Sequence, residues 1–332
     1  TPYTDLSQYL SVATDGRLAF VGSSSRTPTR VVSLQPLEAH SQEASRDADL
    51  PRPQVLIHRR ATGEALPTEQ LAEAQAVSWK GHDGGMAYGL YYAPLNPAFS
   101  SDGKPPLMVI VHGGPTSQVR ANYLSDAQFF ATRGYAVLYP NHRGSTGYGR
   151  AYMNKLRGAW GVYDVEDSAS GAEYLAAQGL ADLNKIVILG GSAGGYTVLQ
   201  SLVDKPGFYK AGVCLYGVSN QFGLAADTHK FEARYSDQLL GPLPQAADLY
   251  RARSPLFHAE RIVDPLIVFQ GEDDKVVPRD QSDTIVASLK ARHVPHEYHV
   301  YAGEGHGWRK PETIEHYYKA VMSFLKTWVI YA

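Results

Sequence analysis

Apolar and polar positions alternate along this chain in two different rhythms. Up to about residue 60 the pattern is short and loose. There "GRLAFVGSSSRTPTRVVSL" predicts two strands, Leu18–Gly22 and Arg30–Leu34, around a Ser/Thr/Pro turn. The polar stretch "QPLEAHSQEASRDADLPRP", closed by prolines, predicts a loop or linker. Two strands of this size bury too little apolar surface to stand alone. Residues 1–60 are therefore expected to pack on the domain C-terminal to them, or to be the end of something larger.

From about residue 73 the rhythm changes. "AVSWKG" and "MAYGLYYAP" alternate as an antiparallel pair would, and "PLMVIVHGG" is a continuous apolar run, the mark of a strand buried on both faces. Helix "LSDAQFFATRG", stopped by Gly134, leads to strand "YAVLYPN". Helix "DVEDSASGAEYLAAQG" leads to strand "KIVILGG", a helix from Ser192, and strand "AGVCLYG". After an irregular insertion come "PLIVFQG", helix "DQSDTIVASLKARH", strand "HEYHVYAG" and a last helix, "PETIEHYYKAVMSFLKTWV". Apolar strands alternating with helices predict a doubly wound, mostly parallel α/β sheet over residues 61–332. In such sheets reactive groups gather at the carboxyl ends of strands.

The totals narrow the field. With 332 residues the chain can build one large α/β domain and a smaller piece. A formal charge of −2 points to no nucleic acid and no acidic membrane surface. Apolar runs fall short of a membrane span, and no signal-peptide pattern opens the chain, which starts at Thr1 and is expected to be processed or cut from a longer one. A single cysteine, Cys214, excludes an internal disulfide and fits a cytoplasmic location; its apolar surroundings make it a small core residue.

The chemistry starts at "KIVILGGSAGGYTVLQ", where Gly190, Ser192 and Gly194 form G-x-S-x-G between a strand and a helix. This nucleophile-elbow pattern presents a serine hydroxyl on a sharp turn that needs small neighbours. A base is available in His306, set between Gly305 and Gly307 just after the last strand, with an imidazole suited to proton exchange near neutrality. Glu272, Asp273 and Asp274 come after the preceding strand and offer an acid to orient it. The order Ser, acid, His, each after a successive strand, is that of the α/β-hydrolases. Negative charge on an acyl-transfer oxyanion needs donors; the backbone N–H groups of Gly114, in "VHGGPT", and Ala193 are expected to supply them, with His112 a structural hydrogen-bonder.

Other chemistries fail on residue type. Tyr196 stands where a phosphate-binding loop needs Lys followed by Ser or Thr, and the dinucleotide G-x-G-x-x-G spacing is absent after the strands. His293, His296 and His299 straddle a proline turn and a strand, so no metal is expected, and no cofactor.

With these residues in place, the chain resembles the prolyl oligopeptidase family of serine peptidases, in its acylaminoacyl-peptidase-like branch. The resemblance rests on "VHGGPTSQ", "NHRGSTGYGR", "WGVYDVED", "GGSAGGYT", "THKFEARY", "QGEDDKVVP" and "GEGHGW". It implies an α/β-hydrolase domain capped by an N-terminal β-propeller, with residues 1–60 as the propeller's last part and the remainder missing or carried as another segment. It also implies Ser192 as nucleophile, His306 as base and Asp273 as orienting acid, with Lys275 where relatives often carry an arginine that holds a substrate carbonyl. Lys lacks the planar fork for that task.

The insertion "SNQFGLAADTHKFEARYSDQLLGPLPQ" is expected to shape the pocket, with Phe222, Phe231 and Tyr235 as apolar lining and Asp227 and Glu232 as attractors of a free amino terminus. The leading function is a serine peptidase acting on short peptides or N-acylated amino acids through an acyl-enzyme. A carboxylesterase with the same machinery is the alternative, and a non-catalytic binding module on this fold a third reading.

Overall fold

The computed structural model describes residues 2–35, 54–64, 66–227 and 234–332. Its contacts divide the chain into two compact units, one of residues 1–75, 92–100 and 120–133 and one of residues 76–91, 101–119 and 134–332.

The first unit contains an antiparallel sheet of β1 (Asp5–Val12), β2 (Leu18–Ser24), β3 (Thr27–Leu34) and β4 (Val55–Arg60), in that order. Four strands replace the two that hydropathy predicts. The reason lies in β1 and β4. The register of β1 against β2 shifts between Leu6 and Leu10, and that of β3 against β4 between Val31 and Val32. A bulge breaks the period-two alternation on which strand prediction depends. Tyr3, Phe20, Val32 and Leu34 form a small buried cluster, joined by Leu18, Val55 and Ile57. Such a four-stranded antiparallel sheet fits a propeller-like segment. The predicted linker after Leu34 lies, except for Gln35, outside the described residues. This unit also holds α1 (Ser125–Ala131), whose buried Gln128 donates to the carbonyls of Ser25 and Ala72 and accepts from Ala72 N–H. An amide side chain thus serves as a backbone-like partner where three segments meet.

The second unit is built on an eight-stranded sheet. Its strands are β5 (Ala74–Lys80), β6 (Met86–Tyr92), β7 (Leu107–Val111), β8 (Ala136–Asn141), β9 (Ile186–Gly191), β10 (Ala211–Leu215), β11 (Leu266–Gly271) and β12 (His296–Tyr301). Their spatial order is β12-β11-β10-β9-β7-β8-β6-β5. From β8 through β7, β9, β10 and β11 to β12 every pair of neighbours is parallel. Only five residues join the neighbours β5 and β6, which leaves room for a hairpin and not for a crossover. Strands β7, β8, β10 and β11 are buried along their whole length. That explains their unbroken apolar runs, each buried Val, Leu or Ile contributing about 1.5–3 kcal/mol.

The helices of this unit are α2 (Arg150–Met153), α3 (Tyr163–Ala177), α4 (Ala193–Asp204), α5 (Gln221–Asp227), α6 (Tyr235–Leu240), α7 (Ala247–Ala252), α8 (Asp280–Ala291) and α9 (Pro311–Leu325). The last predicted helix continues as a wider π turn, Lys326–Ile330, closed by Tyr331 N–H on Lys326 C=O. No helix among the described residues is long and apolar enough to cross a membrane. The chain visits β8 on one side of β7 and then returns across it to β9, so the loops after β7 and β9 part at the reversal of strand order. Parallel sheets bind ligands at such a point.

Candidate active site

Ser192 stands at that reversal, at the end of β9 and the start of α4. Its backbone lies at φ 57 and ψ −123, a region that residues with a side chain rarely occupy. The turn is held by Ser192 N–H on Leu215 C=O (3.0 Å) and Tyr196 N–H on Ser192 C=O (2.9 Å). The flanking glycines are required by space. A Cβ at Gly190 would collide with the backbone of Gly194, and one at Gly194 with the carbonyl of Val111. Elbow and β7 therefore pack backbone to backbone, which only glycine allows.

The loop after β7 runs beside the elbow. A Cβ on Gly113 would lie 3.5 Å from Ser192 Cβ and 4.0 Å from Ala193 N. Ala193 is the first residue of α4, where helix N–H groups have no partner within the helix. Gly114 comes next, at φ +67.

Residues 112–119 are braced by the last residue of β8 and the loop after it. The amide of Asn141 accepts from Val119 N–H at 2.7 Å and donates to Val119 C=O at 2.9 Å. Thr146 N–H donates to Ser117 C=O, and His112 Nε2 pairs with Ser145 Oγ, both at 2.8 Å. The ring of His112 also stacks on His142, with centroids 4.7 Å apart. Burial, and for His112 also the neighbouring His142, lowers both pKa values, to about 3 for His112 and about 4 for His142, so both rings are neutral. His112 is thus a hydrogen-bonded support, as its sequence context suggested.

The brace is itself anchored. Arg143 is buried, and its guanidinium and N–H bind the carboxylate of Asp167 on α3, with a further 2.6 Å bond to Asp83 in the β5–β6 turn. Burial alone would disfavour the charge, but the two carboxylates outweigh it and hold the guanidinium ionised. On the same helix, buried Asp164 accepts from Thr197 Oγ1 on α4 and from Gly161 N–H. The motifs "NHRGSTGYGR" and "WGVYDVED" are therefore two sides of one support.

His306 lies beyond β12 in a tight Gly305–Gly307 turn. Its Nδ1 lies 2.8 Å from Asp274 Oδ2, with the Asp274 side chain fully buried and the imidazole 23% exposed. An ionised carboxylate can only accept, so Nδ1 carries the proton and Nε2 is left as the basic nitrogen. The other oxygen of Asp274 accepts from Val276 N–H (2.8 Å) and Val277 N–H (3.0 Å).

This corrects the expectation of Asp273. Its N–H is held by Glu304 C=O and its side chain is exposed, so the turn sends the second aspartate inward and the first outward. The correction also moves Lys275, which comes directly after the buried acid and is exposed; two residues past the acid stands Val276, whose N–H the acid already uses. A signal existed in the sequence. The last acidic residue before "VV" is the one whose carboxylate can close an Asx turn on two later N–H groups.

Tyr216, not singled out from sequence, lies between elbow and imidazole. Its ring is 4.5 Å from that of His306 and 5.3 Å from that of Trp308, and a Cβ on Gly191 would lie 3.1 Å from its hydroxyl. It too has a positive φ, 38. No hydropathy pattern marks such a residue, because its role comes from backbone conformation.

Of the expected lining, Phe222 and Tyr235 are partly buried against an apolar cluster containing Ala193, Val218, Tyr250 and Val277. Phe231 and Glu232 lie outside the described residues, as does the side chain of Asp227.

Strand order, strained serine and carboxylate-bound histidine together define an α/β-hydrolase with its elbow after β9. Residues 121–330 match the prolyl oligopeptidase family. The chain is 34% identical over 238 residues to dipeptidyl aminopeptidase BIII of Pseudoxanthomonas mexicana, covering 70% of this chain and 34% of that protein. It is 30% identical over 216 residues to the acylamino-acid-releasing enzyme of Arabidopsis thaliana, covering 63% and 28%. Among solved structures, a puromycin hydrolase superposes with a TM-score of 0.89 at 37% identity, covering 98% of this chain and 48% of that one. The chain belongs to the prolyl oligopeptidase family, and it spans about a third of the length of these curated relatives.

Proposed function

We propose that this chain is the catalytic portion of a serine peptidase that cleaves short peptides or N-acylated amino acids through an acyl-enzyme. Ser192 Oγ attacks the carbonyl carbon while His306 Nε2 takes its proton. Asp274 holds the imidazole in the required tautomer and stabilises the imidazolium. The N–H groups of Gly114 and Ala193 receive the oxyanion. Collapse breaks the C–N bond, the amine leaves with the proton from Nε2, and water repeats the sequence on the acyl-serine.

The observation that carries this reading is the buried Asp274 bonded to His306 Nδ1, one turn of chain beyond a sheet whose elbow serine is strained. The names of the relatives favour peptide-like amides over simple esters. The reading extends to a partner, an N-terminal propeller portion supplied by a longer chain or a separate one. It includes a cytoplasmic location, with which the single buried, unpaired Cys214 is compatible.

A fluorophosphonate should label the wild type and leave Ser192→Ala unlabelled. Aminoacyl, acetyl-aminoacyl and simple ester substrates are then compared. Turnover of esters alone would replace the peptidase by the esterase, and an inert wild type would leave a binding module.

A further inference from the structure

Tyr235 opens α6, and its hydroxyl reaches the loop after β7. It accepts from Thr116 N–H at 3.2 Å, shares a 2.6 Å hydrogen bond with Thr116 Oγ1, and lies 3.4 Å from the carbonyl of Gly114. Its ring packs on the apolar cluster that contains Ala193. One side chain thus reaches the carbonyl of the residue proposed as one oxyanion donor and the packing around the other.

The need for such a contact arises from local chemistry. Gly114 is backbone without a side chain to pin it, at φ +67, and a Cβ there would meet nothing nearer than Ser117 Cβ at 3.7 Å. Pro115 has no N–H, so the Gly114–Pro115 peptide must be held through its oxygen or through its neighbours. The brace from Asn141, Ser145 and Thr146 grips the loop at His112, Ser117 and Val119, leaving residues 114–116 between its clamps. Tyr235 fills that interval.

We propose that Tyr235 is a positioning residue. Its hydroxyl fixes the Gly114–Pro115 and Pro115–Thr116 peptides and, through them, keeps the adjoining peptide that carries Gly114 N–H aimed at the developing oxyanion. This rests on the serine-peptidase reading and deepens it: the expected pocket-lining role of Tyr235 becomes a role in transition-state geometry. A donor displaced by about 1 Å costs on the order of 100-fold in rate, while ground-state binding is little affected.

The test is Tyr235→Phe, which removes one oxygen and keeps the ring. With a peptide nitroanilide, kcat should fall about 10- to 100-fold with KM within about twofold, and the fluorophosphonate rate should fall in parallel. Thr116→Val gives a second arm that leaves Tyr235 intact, and its loss should not multiply with that of Tyr235→Phe in the double variant. An unchanged kcat in folded Tyr235→Phe overturns the proposal. A rise in KM alone also overturns it and makes Tyr235 a substrate contact. Should Tyr235→Phe fail to fold, an unchanged kcat in Thr116→Val does the same. A wild type that resists the fluorophosphonate defeats the peptidase reading itself, a separate outcome from a labelled wild type whose Phe variant keeps full kcat.

Discussion

Asp274 Oδ2 and His306 Nδ1 are 2.8 Å apart, and the neighbouring Asp273 faces outward. Two adjacent carboxylates thus have separable roles. Asp274→Asn should lower kcat/KM by about 1,000-fold or more, because the amide can no longer hold the productive tautomer. Asp273→Asn should stay within about twofold of wild type, as expected of an exposed side chain without a catalytic partner. Steady-state rates on one peptide substrate decide, and equal losses would show the assignment to be wrong.

Ser192 stores strain. Moving a side chain out of such a backbone region relieves roughly 1–3 kcal/mol. Ser192→Gly should abolish activity and yet raise the thermal midpoint, whereas Gly194→Ala, whose Cβ meets the Val111 carbonyl, should unfold the protein or lower its midpoint sharply. Thermal melts of the two variants check this. A lower midpoint in Ser192→Gly would mean that the elbow is relaxed.

His142 is buried and His112 half-buried, both neutral, with folded pKa values of about 4 and about 3 against 6.5 when unfolded. As pH falls below 6.5 the unfolded chain takes up these protons first, so stability drops with acidification from pH 6.5 toward 4. Between pH 7 and pH 5 each ring contributes a loss of roughly 2 kcal/mol. Urea midpoints of wild type and His142→Phe at both pH values measure it. The variant should lose less on acidification.

Arg143 is buried between Asp167 and Asp83. Arg143→Ala leaves a buried carboxylate unpaired and should cost roughly 3–5 kcal/mol of stability. Asp83→Asn should cost about 1 kcal/mol or less, since that carboxylate is half exposed. Denaturant titrations rank the two, and comparable losses would contradict the buried pairing.

The sheet was readable because β7 to β11 bury both faces, and such strands write themselves as apolar runs. The elbow and the histidine turn were readable because backbone crowding and tight turning call for glycine at fixed offsets. Strands β1 and β4 were not, since their bulges interrupt alternation. Which aspartate turns inward was settled by Glu304 C=O and the N–H groups of Val276 and Val277, contacts that a linear pattern does not contain. The expectation of Asp273 came from register with relatives and failed by one residue. Nothing in the apolar neighbourhood of Tyr216 announces its positive φ.

Asp83 is the outermost link of a chain of contacts that runs through Arg143 to the loop 141–146 and on to residues 112–119. A solvent-reached carboxylate is thereby mechanically in series with the loop that carries Gly114, the oxyanion donor proposed above. Turnover should respond to ionic strength or to surface changes at that turn without any alteration of Ser192, His306 or Asp274 themselves. The hairpin offers a remote adjusting screw for the catalyst, one that evolution or an engineer could turn while leaving specificity alone.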